Sequence, residues 1–233
     1  MPDRQIHPAF EGDMAASYDA RNEPMAALRD ALHLLAGRLL LQDLPGTAEI
    51  LCVGAGTGKE VLHLASLAPG WRFTALDPSA DMLAVCKREV DAAGIADRVR
   101  LFEGYVDELD DGIAYDAATS ILASHFITDR TERLAYFSGI AGRLRTGGIL
   151  INADLAGDRQ AATFDALEHV WLSAIRAAGL DDDSVASYRT NLDKSVGLLP
   201  PPDLAALIAS AGFSEPAQFY QGGLIHAHTA RRL

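Results

Sequence analysis

Glu49-Ile-Leu-Cys-Val-Gly-Ala-Gly-Thr-Gly58 is the stretch that decides the fold. Residues 50–53 are an apolar run of strand length, cut off by three glycines in alternation. A helical pattern follows at once, with Val61, Leu62, Leu64 and Ala65 as its apolar face. Strand, Gly-rich turn and helix in that order make a ligand-binding device. Glycine lets the backbone approach a ligand, and a helix N-terminus presents unpaired N–H groups. A second strand over 72–76 ends in Asp77, whose carboxylate can accept hydrogen bonds from a ribose diol. These two features together predict a nucleotide site.

Working outward, residues 1–23 read as polar and irregular, with Ala15-Ala-Ser-Tyr-Asp19 as the notable run. Pro24 opens a helix over 25–42 with Leu28, Leu32, Leu35 and Leu39 at helical spacing, and Pro45-Gly46 ends it. Beyond Asp77, Pro78-Ser79 caps a helix ending near Ala93-Gly94. Strands are expected over 99–102, 115–122 and 149–153, with a helix over 131–144 and a turn at Thr146-Gly-Gly148. Strands alternating with helices over 48–153 predict an α/β, doubly wound, mostly parallel sheet.

After Asp154 the pattern changes. Residues 158–195 read as wholly helical, with Phe164, Leu167, Val170, Trp171 and Ile175 on one apolar face, and are taken as an insertion. Asp181-Asp-Asp183 reads as the cap of its second helix, with a divalent-metal site as the sharper alternative. Pro200-Pro-Pro202 returns the chain to the sheet through a helix. Two extended runs joined by Gly222-Gly223 then predict an antiparallel hairpin, which makes about seven strands in all. The expected organisation is one domain over 1–233, with a helical cap over 1–45 and the insertion over 158–195.

Composition narrows the partners. The chain has 233 residues, 49% hydrophobic and 22% charged, ordinary for a soluble globular protein. A formal charge of -12 argues against binding nucleic acid, which needs clustered Lys and Arg. The N-terminus shows no signal-peptide pattern, and no apolar run approaches the ~20 residues of a membrane span. Cys52 and Cys86 read as buried thiols, in keeping with a reducing cytoplasm, and no Cys/His cluster has metal-ligand spacing. Oligomeric state is left open, with a homodimer as the candidate assembly.

The choice of nucleotide turns on the glycines. A dinucleotide fingerprint needs Gly-x-Gly-x-x-Gly, but Lys59 stands at its third position, and Gly58-Lys59-Glu60 does not complete a phosphate loop. The order of acidic residue, apolar run and Gly-x-Gly-x-Gly resembles motif one of the class I S-adenosylmethionine-dependent methyltransferases. The resemblance extends through Asp77, Asp97-Arg-Val-Arg-Leu-Phe-Glu-Gly104, Leu144-Arg-Thr-Gly-Gly148 and Ala211-Gly-Phe213. It implies S-adenosyl-L-methionine as cofactor and S-adenosyl-L-homocysteine as product. Gly54, Ala55, Gly56 and Gly58 would hold the methionine part, Asp77 the ribose, and Pro78 and Met82 the adenine face. Tyr105 stands where the family commonly has an aspartate for the adenine amino group, with Val106 or Asp107 as substitutes. Tyr18 resembles a tyrosine that closes over the cofactor in some members, or is a loop aromatic packed on the sheet.

Methyl transfer chiefly requires alignment and exclusion of water, and a general base only when the acceptor arrives protonated. Ser120, Ser124 and His125 follow or end the fourth strand, at the edge of the pocket in this architecture. His125 is the base candidate, since imidazole titrates near neutrality, and a backbone-bonded structural histidine is the alternative. The insertion and hairpin are expected to form an acceptor lid lined by Trp171, Tyr188, Arg189, Tyr220 and His226. Trp171 lies on the regular apolar face and reads first as core, and Arg189 and Lys194 read first as solvated charges. A small enclosed acceptor is therefore expected. The alternatives are an enzyme similar to carboxy-S-adenosylmethionine synthase, needing a cation such as Arg189 or Arg21, or a non-catalytic binding protein. A Rossmann-type dehydrogenase is weaker, opposed by Lys59 and the terminal hairpin.

Overall fold

The strands are β1 (Glu49–Val53), β2 (Arg72–Asp77), β3 (Val99–Glu103), β4 (Tyr115–Ile121), β5 (Leu144–Leu155), β6 (Ala217–Gly222) and β7 (Ile225–Arg231). They form one sheet in the order β3-β2-β1-β4-β5-β7-β6. Strands β1 to β5 pair in parallel, and β7 is inserted antiparallel between β5 and β6. The structure is a computed structural model that describes residues 6–110, 112–177 and 181–233. The reading of residues 1–5 as free of a leader pattern, and the connection 178–180 inside the insertion, lie outside the described residues.

The sheet is covered on both faces, which explains why its strands read as continuous apolar runs rather than alternating ones. Ile50, Cys52, Phe73, Ala75 and Ile151 face α3 (Ala26–Asp43), α4 (Lys59–Leu67) and α5 (Ala80–Ala92). Leu51, Val53, Leu76, Ala118 and Leu150 face α6 (Arg130–Arg143) and α9 (Pro201–Ser210). A third cluster packs α7 (Phe164–Ala177) and α8 (Asp182–Ser195) on Ala153, Leu155, Ile225 and Ala227. Side chains start two of the helices. Ser79 Oγ accepts from the Met82 amide at 3.1 Å, and Asp129 Oδ1 accepts from Thr131 and Glu132 at 2.8 and 2.9 Å. Among the described residues no helix is long and apolar enough to cross a membrane.

Four expectations are corrected. The N-terminal residues are not irregular: 3-10 turns at Pro8–Phe10 and Glu23–Met25 flank the short helices α1 (Gly12–Ala16) and α2 (Tyr18–Asn22). Their polar composition hid them because α1 packs on α5 with Ala15 as its one buried residue, and α2 buries none. The buried stripe of α3 is Leu32, His33, Ala36, Gly37 and Leu40, while Leu35 is 41% exposed. A leucine-rich helix offers several stripes, and packing against His63 and Leu67 selects the one containing Gly37. On α7, Glu168 rather than Val170 completes the buried face, and Val170 is 59% exposed. The carboxylate is taken inside because Arg189 pairs with it at 2.8 Å. Strand β5 begins at Leu144, so Thr146-Gly147-Gly148 is a bulge within it, where the register with β4 shifts. The predicted hairpin is present, with Gly223 at φ +58° in its turn and a register shift between Gln218 and Tyr220.

Glu60, in the first turn of α4, is an unforeseen buried carboxyl. Its Oε1 accepts from Thr119 at 2.9 Å, and its Oε2 makes no hydrogen bond among the described residues. Burial pushes its pKa up to about 7, against the pull of the Thr119 and Cys52 hydrogen bonds. The unfolded chain loses this proton near 4.5, the folded chain near 7, so stability falls as pH rises through that window and is level above it. Glu60→Gln keeps the Thr119 bond and removes the titration. We expect its stability relative to wild type to be about 2 kcal/mol more favourable at pH 8 than at pH 5, read from urea unfolding at both pH values. An equal effect at both would show that Glu60 is ionised throughout.

Candidate active site

The glycine turn sits at the carboxyl ends of β1 and β2. Gly54, Gly56 and Gly58 have φ of +71°, +55° and +83°, conformations that L side chains rarely adopt. A Cβ on Gly54 would stand 2.5 Å from the Ala123 methyl, and one on Gly58 2.6 Å from Cys86 Sγ. The turn is therefore closed against its neighbours from below. The amides of Gly54 and Ala55 donate to the Leu76 carbonyl at 2.8 and 3.0 Å, and Gly56 N–H donates to Asp77 Oδ2 at 2.9 Å.

Asp77 Oδ1 in turn accepts from the Ser79 amide at 2.9 Å. A carboxylate has about four acceptor sites, and these two backbone bonds use two of them. Burial raises the Asp77 pKa and the Ser79 and Gly56 bonds oppose the rise. A desolvated carboxylate with acceptor capacity to spare at the end of β2 suits a vicinal diol. Pro78 is half-buried beside it, and the buried Met82 places its methyl 3.3 Å from where a Gly56 Cβ would be. Across β2, the carbonyl of Asp77 accepts from Gly104, and Tyr105 N–H donates to Glu108 Oε2 at 2.7 Å. Tyr105 is half-buried, Val106 is buried, and Asp107 is exposed. The residues present fit a nucleoside cofactor with a ribose diol.

The N-terminal segment lies across this turn. Asp19 accepts from Thr57 Oγ1 at 2.7 Å and pairs with Lys59 Nζ at 3.1 Å, Gly12 N–H donates to Asp81 at 2.7 Å, and Ser79 Oγ donates to the Phe10 carbonyl. Tyr18 packs against Phe10 with the rings tilted by 55° and centroids 5.9 Å apart. Burial raises its pKa first, then the Asp19 carboxylate, while the Arg21 guanidinium opposes the rise. Arg21 is spent on the Met14 carbonyl at 2.6 Å.

A second constellation lies at the carboxyl ends of β4 and β5. His125, in the 3-10 turn Ser124–Phe126, is 3% exposed and places Nδ1 3.1 Å from Asp154 Oδ1, which also accepts from the His125 amide at 3.0 Å. Leu155 N–H also points at Nδ1, but at 3.5 Å; the carboxylate is nearer and charged, so Nδ1 carries the proton and Nε2 the lone pair. Leu122, just before this turn, is the sole non-glycine residue at positive φ (+55°) among the described residues. Asp154 Oδ2 accepts from Ser124 Oγ, from Arg133 Nη2 at 3.0 Å and from Asn152 Nδ2 at 3.0 Å. Burial alone would raise the Asp154 pKa, but Arg133, then His125 and Ser124, hold it well below the usual carboxylate range. His226 and His228 stand opposite Asp154 and Asn152 on β7; burial lowers both, His226 to about 4.

The other expected residues are placed as follows. Ser120 is fully buried with its hydroxyl 2.8 Å from Tyr136. Trp171 Nε1 donates to Tyr188 Oη at 3.0 Å, and the Trp171 ring covers Gly223. Arg189 is committed to Glu168, and Tyr220 donates to the Leu28 carbonyl at 3.1 Å. Asp182 and Asp183 stand in the first turn of α8, and Asp182 pairs with Arg176 at 2.8 Å. No group of three metal-ligating side chains is found among the described residues.

Sequence reasoning missed Asp154, Asn152, Arg133 and Asp19. Asn152 and Asp154 alternate within an otherwise apolar strand, a readable sign of buried polar groups on one face. Arg133, four residues after Asp129 on a helix, looks like any surface charge.

Comparison with known proteins gives these features a setting. Residues 50–148 match the methyltransferase domain family. The chain is 41% identical over 83 residues to a release factor glutamine methyltransferase of Chlorobaculum tepidum, covering 36% of this chain and 28% of that one. It is 28% identical over 186 residues to a demethylmenaquinone methyltransferase of Thermus thermophilus, covering 78% and 82%. Among solved structures, the calicheamicin-biosynthesis methyltransferase CalO1 in its SAH-bound form aligns with a TM-score of 0.64 at 17% identity, over 95% of this chain and 58% of that one. The chain thus spans little more than a quarter of the first relative and under two thirds of CalO1.

Removing Asp154 would leave Arg133 buried without its counter-charge. Asp154→Ala is expected to cost about 3–5 kcal/mol, read as a lower urea midpoint at neutral pH. Because the Asp154 pKa is depressed from 3.8, this stabilisation is complete above that value and is lost only as pH falls below it. A cost under 1 kcal/mol at pH 7 would mean the guanidinium finds other partners.

Proposed function

From a chain whose residues 50–148 match a methyltransferase domain family, we propose S-adenosylmethionine-dependent methyl transfer to a small-molecule acceptor by in-line displacement. The observation that carries the reading is Asp77. It is buried, fixed by Gly56 and Ser79, and keeps acceptor capacity for a ribose diol beside a turn that excludes side chains. The bound cofactor would supply an electrophilic methyl group on a sulfonium.

The chain's own residues would do the rest. The glycine turn and Asp77 orient the nucleoside, and Tyr18 with the N-terminal segment closes over it. His125 takes the acceptor's proton at Nε2 while Asp154 holds Nδ1 and stabilises the imidazolium that forms. The helices α7 and α8, with Trp171 and Tyr188 bonded to each other, act as a lid that keeps water out. With Arg189 on Glu168 and Arg21 on Met14, neither is offered to a carboxylated cofactor, so plain methyl transfer is preferred. A cytoplasmic location goes with this reading, in accord with the free, buried Cys52 and Cys86.

Calorimetric titration with S-adenosylmethionine, S-adenosylhomocysteine and NAD tests the cofactor. Binding of the first two and not NAD is expected, and the reverse would sink the proposal. Asp77→Ala should weaken S-adenosylhomocysteine binding by about 10²- to 10⁴-fold through two lost charge-assisted bonds. With a labelled methyl donor and a metabolite extract, His125→Gln should slow label transfer by about 10²- to 10⁴-fold while cofactor affinity stays unchanged. Equal transfer by the variant would remove His125 as base.

A further inference from the structure

Resting on that reading, we propose that Arg133 is a positioning residue that ties the chain leaving the lid to the turn carrying His125, so that the base is held in its working orientation only while the lid is seated. Arg133 is 1% exposed, and each of its nitrogens donates to a different element. Nε reaches Ser124 Oγ at 3.0 Å, in the turn of the base. Nη2 reaches Asp154 Oδ2 at 3.0 Å, on β5. Nη1 reaches the Gly197 carbonyl at 2.7 Å, two residues beyond the end of α8. A guanidinium buried only to neutralise Asp154 would not need the other two.

The same neck is bonded to the base a second time, since Gly197 N–H donates to the His125 carbonyl at 2.8 Å. The lid's two ends also meet, with Gly157 N–H donating to the Leu199 carbonyl at 2.8 Å. Packing reinforces the bonds: a Cβ on Gly197 would stand 3.1 Å from Thr128 Cα and 3.3 Å from the Ile127 carbonyl. If the lid swings out at this neck, Arg133 Nη1 and the His125 carbonyl lose their partners together. Unpaired buried polar groups are costly, so the turn must re-form its bonds elsewhere and His125 leaves Asp154. Lid and base therefore share one two-state element.

The test uses the full chain with ¹⁵N-labelled histidine, His125 being assigned with the His125→Gln variant. Wild type should show His125 as a single tautomer protonated at Nδ1. In Arg133→Met the His125 signals should shift to a mixture of tautomers, and amides of α8 should exchange about tenfold faster, with S-adenosylhomocysteine affinity within about threefold of wild type. Gly197→Ala, which pushes the neck from the same turn without touching a charge, should move both readouts in the same direction, and it decides alone if Arg133→Met does not fold. Wild-type tautomer and wild-type exchange in the folded variants would overturn the proposal. So would faster α8 exchange with an unchanged His125 tautomer, since Arg133 would then hold only the lid. Failure of the wild type to bind S-adenosylhomocysteine would instead overturn the methyltransferase reading, while the histidine and exchange readouts would still report on the coupling.

Discussion

The hydrogen bond from Gly56 N–H to Asp77 Oδ2 is the constraint on which the rest of the site depends. It joins the turn after β1 to the end of β2, and the Gly54 and Ala55 amides reinforce the same join through the Leu76 carbonyl. A turn with three glycines at positive φ has little stiffness of its own. Bonded to a buried carboxylate that is itself fixed by Ser79, it becomes a preorganised surface, and α4 and α5 start from its two sides.

The second constraint is electrostatic. Asp154 gathers Ser124, His125, Asn152 and Arg133 where β4, β5 and α6 meet, in a place from which water is excluded. Isolated charges there would be prohibitive, and the pair is tolerable because each oxygen of the carboxylate is bonded more than once. Precision at His125 follows from that over-determination, as does the tolerance of a non-glycine residue at positive φ next door.

Much of the architecture was legible in the sequence because the signals were local. Apolar runs ending in glycine or in Asp77 mark strand ends, Ser79 marks a helix start, and Gly222-Gly223 marks a hairpin. The failures came where tertiary packing chose among local equals. Nothing within α3 tells whether Leu35 or Ala36 faces inward; the answer lies with His63 and Leu67 across the interface. Val170 looked like core because the partner that lets Glu168 occupy its place, Arg189, is 21 residues away and identifiable only in three dimensions. Asp77 and His125 drew attention in the sequence because they stand at or just past strand ends, whereas Arg133 did not, because a buried arginine and a surface arginine share one helical pattern.

The ends of the sheet carry a consequence for the behaviour of the chain in concentrated solution. Strands β3 and β6 each leave one row of backbone groups unpaired by the sheet, the kind of template on which a second chain can add. Edge β3 is short and presents exposed Arg100 and Glu103, so an incoming strand would have to bury charge. Edge β6 is bent by the register shift between Gln218 and Tyr220, and Tyr220 anchors it to Leu28 of α3. The same tyrosine that fastens the hairpin to the N-terminal helix thus helps protect the fold from edge-to-edge aggregation.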